Sequence, residues 1–180
     1  MEDKMKQSVI AVLLAAVLAA PVFAENLVPN GDFKKFDAQK GNPEGWVFSR
    51  WNEVVEEGPG VTPVLRMCSN YRSRNTHWKG NALVVIPKIP AGKYKFSLKV
   101  KGAASMIYFF LMPPKNSGVK GVVKDCRKIT MKPLADGWKY GEYPVSFAKD
   151  VTKVSLSLEC FFANYGEYEY VADVKLEPVK

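Results

Sequence analysis

Between residues 93 and 101 the chain alternates strictly. Tyr94, Phe96, Leu98 and Val100 form one series, and Lys93, Lys95, Ser97, Lys99 and Lys101 form the other. Side chains switch faces at each step along a strand, so the pattern dictates an extended segment with one dry and one wet face. Pro90-Ala91-Gly92 marks a turn just before it. Residues 151–161 alternate in the same way, and 105–112 are apolar on both faces. Shorter strands are expected at 64–68 and 82–86, with weaker ones at 122–123 and 129–131. Residues 138–147 and 168–176 complete the set. Gly58-Pro59-Gly60, Gly80-Asn81, Pro113-Pro114, Asn116-Ser117-Gly118 and Asp136-Gly137 punctuate these runs. Many short strands at such spacing predict an all-β sandwich or barrel. Residues 51–57 offer at most a turn or two of helix. There is no internal repeat and no linker, so one domain is expected.

Upstream, Lys4 and Lys6 precede an unbroken apolar run over residues 9–20, and Pro21-Val22-Phe23-Ala24 follows. A basic start, a short apolar stretch and small residues before Glu25 form a cleavable signal peptide, with the domain at 25–180. The apolar run is too short to span a bilayer. A soluble protein, secreted or periplasmic, is expected. The net charge of +8 at pH 7 would suit acidic partners. The lysines and arginines are spread through the strands, however, so a generally basic surface is the expectation. No nucleic-acid motif is present, and export argues against that partner. Cys68, Cys126 and Cys160 are odd in number and lack metal-ligand spacing, so they read as small buried residues, with one bridge permitted by export.

Five segments in order carry a family resemblance. They are residues 26–33 (Asn-Leu-Val-Pro-Asn-Gly-Asp-Phe), 42–46 (Asn-Pro-Glu-Gly-Trp), 89–98 with Gly92-Lys93-Tyr94, Gly137-Trp138 with 151–154, and 171–176. Together they resemble carbohydrate-binding modules of families 4, 9 and 22. The resemblance implies a galactose-binding-like jelly-roll β-sandwich of two antiparallel sheets, preceded here by a signal-peptide helix. It implies glycan binding without catalysis. Many relatives also hold a structural calcium where the opening segment meets the last strand. Asp32 and Asp173 keep that pattern, but Lys34 stands where a Glu is expected and Ala172 where an Asp is expected. Calcium requires about six to eight oxygen ligands. The expectation is therefore no cofactor, with an ion pair from Lys34 to a nearby acid as the competing arrangement.

Sugars stack their C–H faces on aromatic rings and bond through hydroxyls to planar polar groups. If Phe109 and Leu111 face the core, Tyr108 and Phe110 face outward. If Leu156, Leu158 and Cys160 face the core, Glu159 and Phe161 face outward beside them. The resemblance makes such a sheet face, concave in relatives, one candidate site; a covering loop would instead make it a second small core. The segment 70–78, with Tyr71, Arg72, His77 and Trp78, is the other candidate, and Trp51 is a third. Trp46 and Trp138 follow glycine at framework positions and read as core. His77 is the only histidine, which excludes a multi-histidine metal site. Glu53, Glu56 and Glu57 read as a solvated cluster rather than the two opposed carboxylates of a glycosidase. The rivals to glycan binding are a structural or adhesion sandwich that docks another protein and, behind it, a small polysaccharide-active enzyme.

Overall fold

The computed structural model describes residues 25–49, 52–56, 63–67, 80–102, 106–126, 129–161 and 168–179, without the side chains of residues 80, 106, 107 and 161. Residues 1–24 lie outside this set, and with them the signal peptide. Among these residues thirteen strands form: β1 Phe36–Asp37, β2 Asn42–Pro43, β3 Trp46–Phe48, β4 Glu53–Val55, β5 Val64–Met67, β6 Gly80–Ile89, β7 Gly92–Gly102, β8 Met106–Met112, β9 Val122–Asp125, β10 Met131–Pro133, β11 Lys139–Phe147, β12 Val151–Phe161 and β13 Glu169–Pro178. A six-stranded sheet runs β10-β11-β7-β13-β5-β4 and a five-stranded sheet runs β3-β6-β12-β8-β9, with β1 and β2 as a separate hairpin. Every pairing is antiparallel. This is the expected jelly-roll sandwich.

Period two decides which side chains meet between the sheets. Tyr94, Phe96, Leu98 and Val100 of β7 are buried, as are Phe109 and Leu111 of β8 and Val154, Leu156, Leu158 and Cys160 of β12. Phe96 and Phe109, one from each sheet, stack with centroids 4.1 Å apart. Burial of such side chains is the main source of stability, at about 1.5–3 kcal/mol each. Cys126 is a buried free thiol, and burial, reinforced by the charges of Asp125 and Glu169, pushes its pKa up to about 12.

The opening segment runs along β13. Leu27 N donates to Leu176 O (3.0 Å) and Val174 N to Gly31 O (2.9 Å). The Asn26 carboxamide accepts from the Val28 and Leu176 amides and donates to Val174 O. Gly31 is required here because a Cβ would collide with the Val174 carbonyl oxygen. Trp46 is buried against Phe33, 5.1 Å between ring centroids, and its Nε1 donates to Pro29 O and Asn30 O. Gly45 precedes it at φ 82°, a conformation that favours glycine.

Two expectations need correction. Residues 53–55 form strand β4, not helix, because Val54 and Val55 pair with Leu65 and Val64 of β5 and β-branched residues fit a pleated surface. Trp138 is not core. Asp136 and Gly137 take positive φ, and this turn leaves Trp138 half-buried on the outside, with Lys101 Nζ 6.0 Å from its ring.

Candidate functional site

The outer face of the five-stranded sheet is assembled by register. Glu159 of β12 pairs with Asn81 of β6 on one side and Tyr108 of β8 on the other, and Tyr108 pairs with Asp125 of β9. The next outward row is Val47, Leu83, Ser157, Phe110 and Val123. A third contains Val85, Ser155 and Met112. Tyr108 and Phe110 therefore stand side by side, rings 6.2 Å apart and inclined by 29°. Ser157 Oγ donates to Asn81 Oδ1 at 2.9 Å, fixing the orientation of that amide. Asp125 is buried, whereas Tyr108, Phe110, Asn81 and Glu159 are half-buried. Val47, Val85, Met112 and Val123 are 44–62% exposed, so the second and third rows reach solvent at those positions.

Of the residues singled out from sequence, Tyr108, Phe110 and Glu159 are thus brought together. Phe161 ends β12 opposite Met106, and its side chain is outside the described set. Trp51, Tyr71, Arg72, His77 and Trp78 lie outside the described residues. Ser157 follows from the same alternation that turns Glu159 outward, whereas Asn81 and Asp125 were not anticipated. Asn81 was legible, since it alternates with Ala82 and Val84. Asp125 gave no signal until β9 was paired with β8.

Asp32, Asp173, Asn30, Lys35 and Lys175 line a cavity of about 340 Å³ where the opening segment meets β13. Asp32 Oδ2 is 3.4 Å from Lys34 Nζ, and Asp173 Oδ2 is 2.6 Å from Lys99 Nζ. The Gly31 and Val174 carbonyls are engaged in hydrogen bonds. Among the described residues no group of three or more acidic, histidine or cysteine side chains gathers as a metal site. Each carboxylate of this pocket already faces an ammonium group, an arrangement that competes with calcium for the same oxygens.

No family model matches the sequence, and no curated protein does. Solved structures do match. The CBM22-1 xylan-binding domain from Paenibacillus barcinonensis Xyn10C is similar with TM-score 0.54 and 11% identity, over 89% of this chain and 99% of that one. The enzymatically active domain of bacteriophage CBA120 tailspike protein 4 gives TM-score 0.56 at 9% identity over 86% of this chain, which spans only 21% of the tailspike chain. TmCBM61, solved with beta-1,4-galactotriose, gives 0.49 at 14% identity over 87% of this chain and 100% of that one. At such identities the likeness is one of fold. No helix among the described residues is long and apolar enough to cross a membrane. The chain has the jelly-roll architecture of carbohydrate-binding modules, as its five sequence segments imply.

Proposed function

We propose that this chain is an exported, non-catalytic binding protein that holds a neutral poly- or oligosaccharide across the outer face of its five-stranded sheet. The supporting observation is the Tyr108–Phe110 ring pair flanked by Glu159, Asp125, Asn81 and Ser157. The rings take the C–H faces of a sugar, and the Asn81 amide and the Glu159 carboxylate take its hydroxyls, with buried Asp125 behind them. No lysine or arginine stands in the three outward rows, so the carboxylates oppose acidic sugars there. Glu159 and Asp125 rise from one sheet with Tyr108 between them, rather than facing each other across a scissile bond as hydrolysis requires. Trp51, Tyr71, Arg72, His77 and Trp78 remain in the proposal on residue type alone. The fold is taken to stand without calcium, Lys34 and Lys99 supplying the positive charge.

Affinity electrophoresis of residues 25–180 through gels of neutral polysaccharides tests this directly. Retardation on at least one gel is expected, weakened about tenfold or more by Tyr108→Ala, since one lost stacking contact is worth roughly a decade in affinity. Failure to be retarded by any neutral glycan would overturn it. The exposed Val47, Val85, Met112 and Val123 favour one rival, a docked protein partner, because such aliphatic side chains bind apolar surface. Val123→Lys separates the two: it abolishes protein docking, whereas glycan retardation carried by the rings survives.

A further inference from the structure

We propose that the opposite side of the sandwich, the outer face of the six-stranded sheet, carries a second site, for an acidic sugar chain, centred on Trp138, Lys101 and Tyr170. The wet series of β7 supplies the cations. Register sets Tyr170 of β13 beside Lys101 and Tyr140 of β11 beside Lys99. Arg66 lies on the far side of Tyr170, and Lys132 on the far side of Tyr140. Trp138 enters β11 next to Lys101, whose ammonium is 6.0 Å from the indole centroid. Rings and cations therefore alternate across the strands. Adjacent strands are about 4.8 Å apart, so Trp138 and Tyr170 stand roughly 10 Å apart with the ammonium between them.

Trp138, Tyr140 and Tyr170 are half-buried, which anchors each ring while part of it faces solvent. Among the described residues four carboxylates share this face: Glu142 pairs with Lys95, Asp173 with Lys99 and Glu53 with Arg66, and Glu177 stands beside Lys95. Lys93, Lys132 and Lys175 are exposed and take part in no ion pair among the described residues. The face thus keeps a positive surplus around its rings. Rings alone would suit any sugar; rings interleaved with ammonium groups select one bearing carboxylates, a polyuronate. Among the described residues the sheet face offers no protruding helix or ribbon to enter a nucleic-acid groove, which makes duplex a poor fit.

Polygalacturonate and its fully methyl-esterified form are the probes, since they share a backbone and differ in charge. The chain is expected to bind polygalacturonate in about 50 mM salt, with affinity falling steeply toward about 200 mM as screening grows. Trp138→Ala should weaken it about tenfold, and the Lys101→Gln/Lys132→Gln pair should weaken it and flatten the salt dependence. Circular dichroism checks that each variant stays folded. Tyr108→Ala, on the other face, should leave polyuronate binding unchanged, so failure here and failure of the neutral-glycan site are read separately. Equal binding to the methyl ester, binding indifferent to Trp138→Ala, or tighter binding to single-stranded DNA or anionic vesicles would each overturn the proposal.

Discussion

The two outer faces of this sandwich follow one rule and carry opposite chemistry. Each is the solvent half of period-two strands over a shared core. On the five-stranded sheet the outward rows hold two stacked aromatics, aliphatic side chains and the Glu159 carboxylate, with Asp125 buried at the edge. On the six-stranded sheet the outward series of β7 is almost wholly lysine, bordered by Tyr140, Tyr170 and Trp138. A net charge of +8 therefore says little about what either face binds. Charge that looks scattered along the chain is collected by the pleat onto one side, because alternate residues must share a face.

The largest effect should come from removing what the faces share. Phe96 packs on Phe109 between the sheets and is fully buried. Phe96→Ala should cost about 3–5 kcal/mol by denaturant unfolding. Binding on both faces should then fail together at temperatures where the wild type is folded. Loss of one face alone would mean that the sheets are less coupled than their common core implies.

Gly31→Ala comes next and acts on the six-stranded sheet. The new methyl group would strike the Val174 carbonyl on β13, and a clash of this kind costs about 1–3 kcal/mol. A lower midpoint is expected, with polyuronate binding reduced more than neutral-glycan binding, because β13 carries Tyr170 and borders β7. Equal loss on both faces, or no loss of stability, would count against an opening segment clamped to that sheet alone.

Much of this was legible in the sequence. The alternation at 93–101 and 151–161 fixes which residues are buried, and Phe109 and Leu111 follow the same logic. The pairing of Tyr108 with Glu159 follows from adjacent strands once their inward sets are known. Trp138 was misplaced because a Gly-Trp step looks the same whether the turn delivers the ring inward or outward; Asp136 at φ 56° decides it, and residue type does not. The short strands β4, β9 and β10 show too little alternation of their own, so Asp125 and Lys132 take a face only through pairing with β8 and β11.

A smaller effect concerns the tie between the sheets. Asp150 receives a hydrogen bond from Lys88 Nζ (2.8 Å) at the end of β6 and from Ala91 N (2.9 Å) in the turn into β7. The Lys88 bond, then the Ala91 amide, lowers its pKa from the model-peptide value of 3.8. A carboxylate depressed in the folded state adds stability that is present above its unfolded pKa and is lost as pH falls through the folded one. The melting temperature should therefore decline below about pH 4. Asp150→Asn should lower it slightly at neutral pH and flatten that acid decline. An unchanged acid limb in the variant would show that Asp150 does not hold the turn.

The smallest effect is an expected zero, and it bears on the origin of the basic face. Lys99 belongs to the lysine series of β7 and also neutralises Asp173, while Lys34 faces Asp32. If these ammonium groups supply the positive charge at the junction with β13, neither EDTA nor millimolar calcium should move the melting temperature of the wild type. Lys34→Glu removes one of them and adds a carboxylate beside Asp32, so its melting temperature should rise on adding calcium. A wild-type protein that loses several degrees in EDTA would contradict this. Lys99 would then belong only to the ligand-facing series, and the charge contrast between the two faces would owe nothing to the way the chain secures its first segment.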